Sequence, residues 1–210
     1  MAGRLTKDGI VQAALDLLDE VGLGGLTVRA LAAKLDVQPP ALYWHVRDKQ
    51  ALMDEIGTEI WRRIGAELGA LPSDVPWDAE LRAFADVTRH AFLSHRDGAR
   101  VFSGTYLTDA DVLRRQETSM RRWLDQGFTL ADVTRAFSLM YSFVVGFCIE
   151  EQSVASAPDS QYALEVRAER IGADEYPLVA TAGAEIFADP DLRFADQVAV
   201  LTDAVGRFRS

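Results

Sequence analysis

Residues 26–52 read LTVRALAAKLDVQPPALYWHVRDKQAL, and the reading of this stretch decides the fold. Its spacing predicts two short helices separated by a tight break, followed at once by the start of a long third. Thr27 is placed to cap the first helix, accepting N–H groups that an opening turn leaves unpaired. Leu31 and Leu35, four apart, share one face of it. Asp36 and Val37 break it. Pro39 and Pro40 then stand in a first turn, where a missing N–H and a fixed φ cost a helix least. Ala41 to His45 continue the second helix, and Asp48 caps the third ahead of Gln50, Ala51 and Leu52.

Tyr43, Trp44 and His45 are consecutive, and three adjacent positions cannot all face inward on a helical period. At least one large ring is therefore displayed. Gln38, Tyr43, Trp44 and His45 offer hydrogen-bonding groups, while Arg29, Arg47 and Lys49 surround them with positive charge. Donors and acceptors for base edges beside cations for phosphates are what a DNA-reading helix needs. The other reading of the same spacing is a surface helical hairpin whose rings pack on neighbouring helices.

The block Leu42, Tyr43, Trp44, His45 and Val46, followed by Lys49, resembles the helix-turn-helix of the tetracycline-repressor (TetR) family. Further along, LSHRDGARVFSGT (93–105), QGF (126–128) and EEQ (150–152) resemble segments of that family's ligand-binding domain. The likeness runs in order over nearly the whole chain. It implies a homodimeric, all-α regulator of two domains. Residues 1–49 would form the helix-turn-helix DNA-binding domain, with a linking helix over 48–69. Residues 70–210 would bind a ligand and dimerise. The partners implied are double-stranded DNA carrying a palindromic operator and a small-molecule effector.

Residue by residue, the resemblance carries DNA contact onto Arg29, Pro40, Tyr43, Trp44, His45 and Lys49, with Thr27 and Gln38 beside them. A base-reading Gln of the family becomes Pro39 here, and a nearby Thr becomes Ala41, which implies a different operator sequence. The ligand site falls on Phe84, Thr88, Phe102, Thr105, Tyr106, Phe137, Tyr141 and Glu150. The family's magnesium-binding His is Phe102, its drug-gripping Asn and His are Phe84 and Gly65, and an Arg is Tyr106. Thr105 and Glu150 match. The expectation is an apolar or aromatic effector taken up with no metal and no other cofactor.

Composition sets the outer bounds. An apolar share of 49% with 26% charged residues over 210 positions fits a globular chain with ample material for a core. No run of about 18 uncharged apolar residues occurs and the N-terminus lacks the apolar core of a signal peptide, so the expectation is a cytoplasmic protein without a membrane partner. The lone Cys148, in an apolar run, excludes an internal disulfide and reads as core. The net charge of −10 is unevenly spread. Up to Lys49 there are six basic and six acidic residues, so the remainder, with 16 of the 22 basic and 26 of the 32 acidic residues, carries all of it. Phosphate binding asks for a local cationic face, which this balance permits.

The rest reads as helix throughout. Thr6 to Val21 repeats Ile10, Ala13, Ala14, Leu17, Leu18 and Val21 at helical spacing and ends in Gly22, Gly24 and Gly25. Ile56, Ile60, Ile64 and Leu68 stripe a long helix that stops at Ala70 to Trp77, with Pro72 and Pro76. Helices follow at Asp78 to Ser94, around Ala99 to Ser103, at Asp109 to Asp125, at Asp132 to Glu151, at Tyr162 to Gly172, at Tyr176 to Phe187 and from Pro190 on, with a small-residue loop over Ser153 to Ser160. The Asp132 to Glu151 helix is apolar all round, so it is either central or meets a copy of itself. Glu150 and Glu151 end it, either at a pocket mouth or as a solvated terminus. No His, Cys and carboxylate spacing of a metal site appears, and no serine elbow, P-loop or dinucleotide glycine pattern, so an enzyme is not indicated.

Overall fold

Thr6 opens the first helix by accepting from the Gly9 amide, and Thr27 and Asp48 do the same for two later ones, at Ala30 and Ala51. In this computed structural model, which describes residues 5–107, 109–155, 164–172, 174–187 and 189–208, those three caps frame a three-helix unit. α1 is Lys7–Gly25, α2 Val28–Lys34 and α3 Pro39–Tyr43. α1 outruns its expected end at Val21, because Gly22 turns the chain (φ 69°, ψ 177°) and a last turn re-forms beyond it. α2 ends in a Schellman motif. The Asp36 amide donates to Ala33 O and the Val37 amide to Ala32 O, with Asp36 itself left-handed at φ 53°. α3 is shorter than expected: it stops at Tyr43, and the amides of His45 and Val46 both fold back onto the Leu42 carbonyl. Leu17, Leu18, Leu31, Leu42 and Val46 close the small core.

α4, Lys49–Leu68, buries Leu52, Ile56, Ile60 and Ile64 along one stripe and packs on α1 at one end. Its other neighbours are α5 (Trp77–Leu93), α6 (Gly98–Phe102) and α7 (Ala110–Asp125). α8, Leu130–Ala155, reaches past the expected helix end into the loop read from Ser153; positions 156–163, the rest of that loop and the start of the next helix, lie outside the described residues. By length and composition α8 could cross a membrane, but here it packs against α5, α6, α7 and the last helix. α9 (Leu164–Ile171) lies against α10 (Pro177–Ile186), and α11 (Pro190–Gly206) against α5 and α8. No strand occurs among the described residues. The fold is all-α, and one apolar core runs continuously from Ile10 to Val205.

Candidate nucleic-acid interface and effector site

Leu42, fully buried, anchors α3 from beneath, and its neighbours are consequently thrown outward. Trp44 is 89% exposed and Tyr43 52%. Gln38 holds the N-cap position without capping, which leaves its amide to other partners. In the same helix-turn-helix unit Arg29, Pro40, His45 and Arg47 are exposed, with Pro39 and Ala41 half-buried. The displayed ring expected from the period is thus Trp44, with Tyr43 at its side. Thr27 is exposed, but its hydroxyl is engaged in capping α2.

Lys49, expected at a DNA phosphate, is engaged within the fold. It is half-buried, and its ammonium donates to the Leu23 carbonyl at 2.9 Å, closing the last turn of α1. A cation there meets an otherwise orphaned carbonyl and the negative end of the helix dipole.

The residues expected to bind ligand sort into an aromatic core and two outliers. Phe84 and Phe137 meet edge to face at 5.1 Å, and Phe137 also meets Trp123 at 5.1 Å. Phe102 is fully buried, 5.9 Å from Phe92 and 5.8 Å from the His95 ring. Tyr141 packs on Trp61 at 5.7 Å and donates to the Ser103 carbonyl at 2.8 Å. Burial pushes its phenol up, so the donor proton stays on. Thr105 spends its hydroxyl on Phe102 O, 3.0 Å away. Thr88 is fully buried in α5, and its hydroxyl finds no partner among the described residues.

Tyr106 and Glu150 do not join this group. Tyr106 lies beyond the Gly104 break and is 74% exposed, its amide pinned to Asp54 at 3.2 Å. Glu150 is exposed and lines a separate opening of about 520 Å³ with Phe147, Glu185 and Arg193. Nine residues separate it from Tyr141 on α8, which puts the two about half a turn out of phase. The magnesium of the resemblance does not fit either. Phe102 has no donor atom, it is enclosed by Phe92 and His95, and no group of three His, Cys, Asp or Glu converges among the described residues.

Sequence reading missed Trp61, which meets both Phe92 and Tyr141, although it falls at helical spacing on α4; Phe92 was expected on the inner face of its helix and is fully buried there, but was not assigned to the effector site. Sequence reading also missed Arg89, which joins Glu151 in a two-pronged pair (3.0 and 2.7 Å), reaches Asp191 at 2.7 Å and lies over the Phe194 ring at 4.8 Å. Burial works against that guanidinium's charge, but the two carboxylates more than offset it and hold it protonated. Nothing local signals a pairing across 62 residues.

The two segments match known families separately. Residues 10–56 match the bacterial regulatory proteins of the tetR family, and residues 70–204 the tetracyclin repressor-like C-terminal domain. The tetracycline repressor protein class A from transposon 1721 of Escherichia coli is 35% identical over 212 residues, covering 98% of this chain and 93% of its own. A solved structure of a possible TetR family transcriptional regulator from Streptomyces coelicolor A3(2) superposes with a TM-score of 0.84 at 32% identity, covering 97% of this chain and 100% of that one. A TetR variant from Acinetobacter baumannii AYE, in complex with minocycline, gives 0.78 at 30% identity over 99% of both chains. A helix-turn-helix unit displaying Trp44 and Tyr43, carried on a helical body that matches a repressor's ligand-binding domain, places this chain in the TetR family of DNA-binding transcriptional regulators, which are not enzymes.

Proposed function

We propose that the protein is a homodimeric repressor that holds a palindromic operator through α3 and lets it go when a small molecule enters the aromatic site. The observation that carries this is the display of Trp44 and Tyr43, two large rings in contact with solvent, on a unit where Arg29, Gln38 and His45 are exposed as well. Such rings serve a partner surface and not the core beneath them. Residues 1–49 are the operator-binding domain, 48–69 the linking helix, and 70–210 the effector-binding and dimerising domain. Leu139 on α8 and Leu192 and Val200 on α11 stand exposed, and pairing them with a second copy buries them in a four-helix bundle. Two recognition helices then enter successive major grooves about 34–36 Å apart.

The effector is apolar or aromatic and comes without metal. The Phe84, Phe102, Phe137 and Tyr141 rings support this, as does the absence of any donor atom on Phe102. Its binding favours a state in which the two heads no longer match the operator spacing, which requires unequal affinity for the two states. The protein acts in the cytoplasm, where its DNA is.

The test is an anisotropy titration against a randomised palindromic DNA pool at two salt concentrations. Enrichment of a two-fold-symmetric site, with affinity falling steeply as salt rises, is expected. No enrichment at either salt overturns the repressor reading and leaves a helical small-molecule-binding protein. Tight, magnesium-dependent tetracycline binding in a calorimetric titration would sink the metal-free effector.

A further inference from the structure

The turn 94–97, between α5 and α6, bonds to α1 in an unexpected way. Asp97 occupies the N-cap position of α6 with a left-handed backbone (φ 57°, ψ 16°), yet its side chain makes no capping bond there. Its Oδ2 instead accepts from the Leu23 amide, 2.9 Å away and 74 residues back in the chain. That amide directly follows Gly22, where α1 leaves helical geometry. A carboxylate placed to serve its own helix is spent on the break in another.

The neighbouring residues tighten this grip. His95 Nδ1 lies 2.9 Å from Asp19 Oδ2, and the Arg96 amide donates to Asp19 Oδ1 at 2.9 Å. The Arg96 guanidinium reaches the Glu20 carbonyl at 3.3 Å. Approach is so close that a Cβ on Gly22 would fall 2.9 Å from Asp97 Oδ2 and 3.0 Å from Arg96 Nε.

The opposite side of the same turn faces the aromatic site. The His95 ring stands perpendicular to Phe102, with centroids 5.8 Å apart. Gln152 of α8 donates to the carbonyls of Phe92 (3.1 Å) and His95 (2.8 Å) and accepts from the Ala99 amide (3.2 Å). Gln152 thereby supplies α6 with the cap that Asp97 withholds. One four-residue turn is bonded on one side to α1 and on the other to Phe102 and α8.

We propose that this turn is a positioning latch, in which His95, Asp97 and Asp19 transmit displacement of Phe102 to the kinked end of α1. The latch rests on the repressor reading above and says by which residues the effector site reaches the operator-binding unit. A left-handed Asp and a packed Gly22 persist only while surrounding contacts over-determine them. Moving the Phe102 ring takes away one wall of His95, and with it the alignment of His95 on Asp19. The carboxylates of Asp19 and Asp97 then exchange fixed partners for water, and α1 gains a second orientation. Packed contacts of this kind switch between discrete arrangements and do not stretch continuously.

The test is a mutant cycle in the full chain, with Phe102→Leu standing in for a displaced ring, read by hydrogen exchange at the Leu23 amide and by affinity for the operator recovered from the pool selection. Phe102→Leu is expected to speed exchange at Leu23 about tenfold, as a local opening. It is expected to change operator Kd by about fivefold or more, the lower end of measured coupling between sites. Combined with Asp19→Ala, the same substitution should leave both readouts within about twofold of Asp19→Ala alone, as a severed coupling requires. Asp19→Asn, which keeps an acceptor for the Arg96 amide, should restore part of the response. Equal effects of Phe102→Leu with and without Asp19 overturn the latch and leave the repressor reading standing. Exchange coupling in a chain that binds no DNA upholds the latch and overturns that reading. If Phe102→Leu loses its helical circular dichroism, Phe102→Met, closer in volume, takes its place in the cycle.

Discussion

Gly57→Ala should weaken this fold, although Ala is by about 1 kcal/mol the better helix former. Gly57 lies on α4 where the segment following α6 crosses it. A Cβ placed there falls inside contact distance of the Thr105 hydroxyl and 2.9 Å from both Thr105 Cβ and Cγ2. Turning Thr105 about χ1 does not help, because its own Cβ is one of the atoms in the way. The crossing segment cannot drift off either. Tyr106 N is bonded to Asp54 at 3.2 Å on one side, and Arg62 holds Asp109 at 2.9 Å on the other. Backbone must therefore move, which places the cost near the upper end of the roughly 1–3 kcal/mol for overpacking. Subtracting the propensity gain leaves a net loss of about 2 kcal/mol, or roughly 4–8 °C in Tm for a chain of this size. Guanidinium and thermal melts followed by circular dichroism read it directly. Thr105→Gly supplies the control, since it removes the obstructing atoms and should turn Gly57→Ala from destabilising to stabilising. If Gly57→Ala melts at or above the parent with Thr105 in place, the close approach of α4 and this segment is wrong.

Three further outcomes follow from other parts of the molecule. Trp44→Ala, at an exposed position, should leave stability within about 0.5 kcal/mol while weakening operator binding about tenfold or more in anisotropy titrations; unchanged affinity would remove Trp44 from the interface. Arg89→Met strands the largely buried Glu151 carboxylate and should cost about 3 kcal/mol in guanidinium unfolding at neutral pH, most of it recovered by adding Glu151→Gln; a loss under about 1 kcal/mol would show the pair to be solvated. Burial, reinforced by the Glu151 carboxylate, pushes the Cys148 thiol up to about 12, so a disulfide reagent at pH 8 should label it only after denaturant is added. Because the folded value is the raised one, this thiol's contribution to stability is intact below the ordinary range near 8.5 and drains away as pH climbs toward 12. Rapid labelling of the native chain would contradict the burial.

What could be read in the chain beforehand is what has its cause within about four residues. Thr6, Thr27 and Asp48 cap as their positions dictate, and the proline pair opens α3. The succession Tyr43, Trp44, His45 forced a ring outward whatever the tertiary packing. Lys49 shows the limit. Its charge beside the displayed rings argued for phosphate, and only the return of α1, 26 residues away, reveals a carbonyl in need of a cation. Glu150 shows a different limit. The family likeness carried it into the effector site, whereas the period of α8, counted from Tyr141, already turned it away.

The same distinction changes the meaning of the acidic surplus. By composition, a remainder carrying the whole −10 looks like a solvated negative surface that keeps DNA off everything but α3. Several of those carboxylates are not free surface charge. Glu80 is buried, accepting from Ser119 at 2.7 Å and from the Trp123 indole at 3.1 Å. Glu151 is matched by Arg89, and Asp97 is turned onto the Leu23 amide. These three join α5 to α7, α5 to α8, and the α5–α6 turn to α1, so their negative charge works as mechanical connection between helices. Charge reversal at these sites should therefore loosen the body of the protein, whereas reversal at an exposed acidic residue such as Glu117, whose pair with Arg121 is solvated, should cost the fold little and act mainly on the attraction for DNA and the salt dependence of binding.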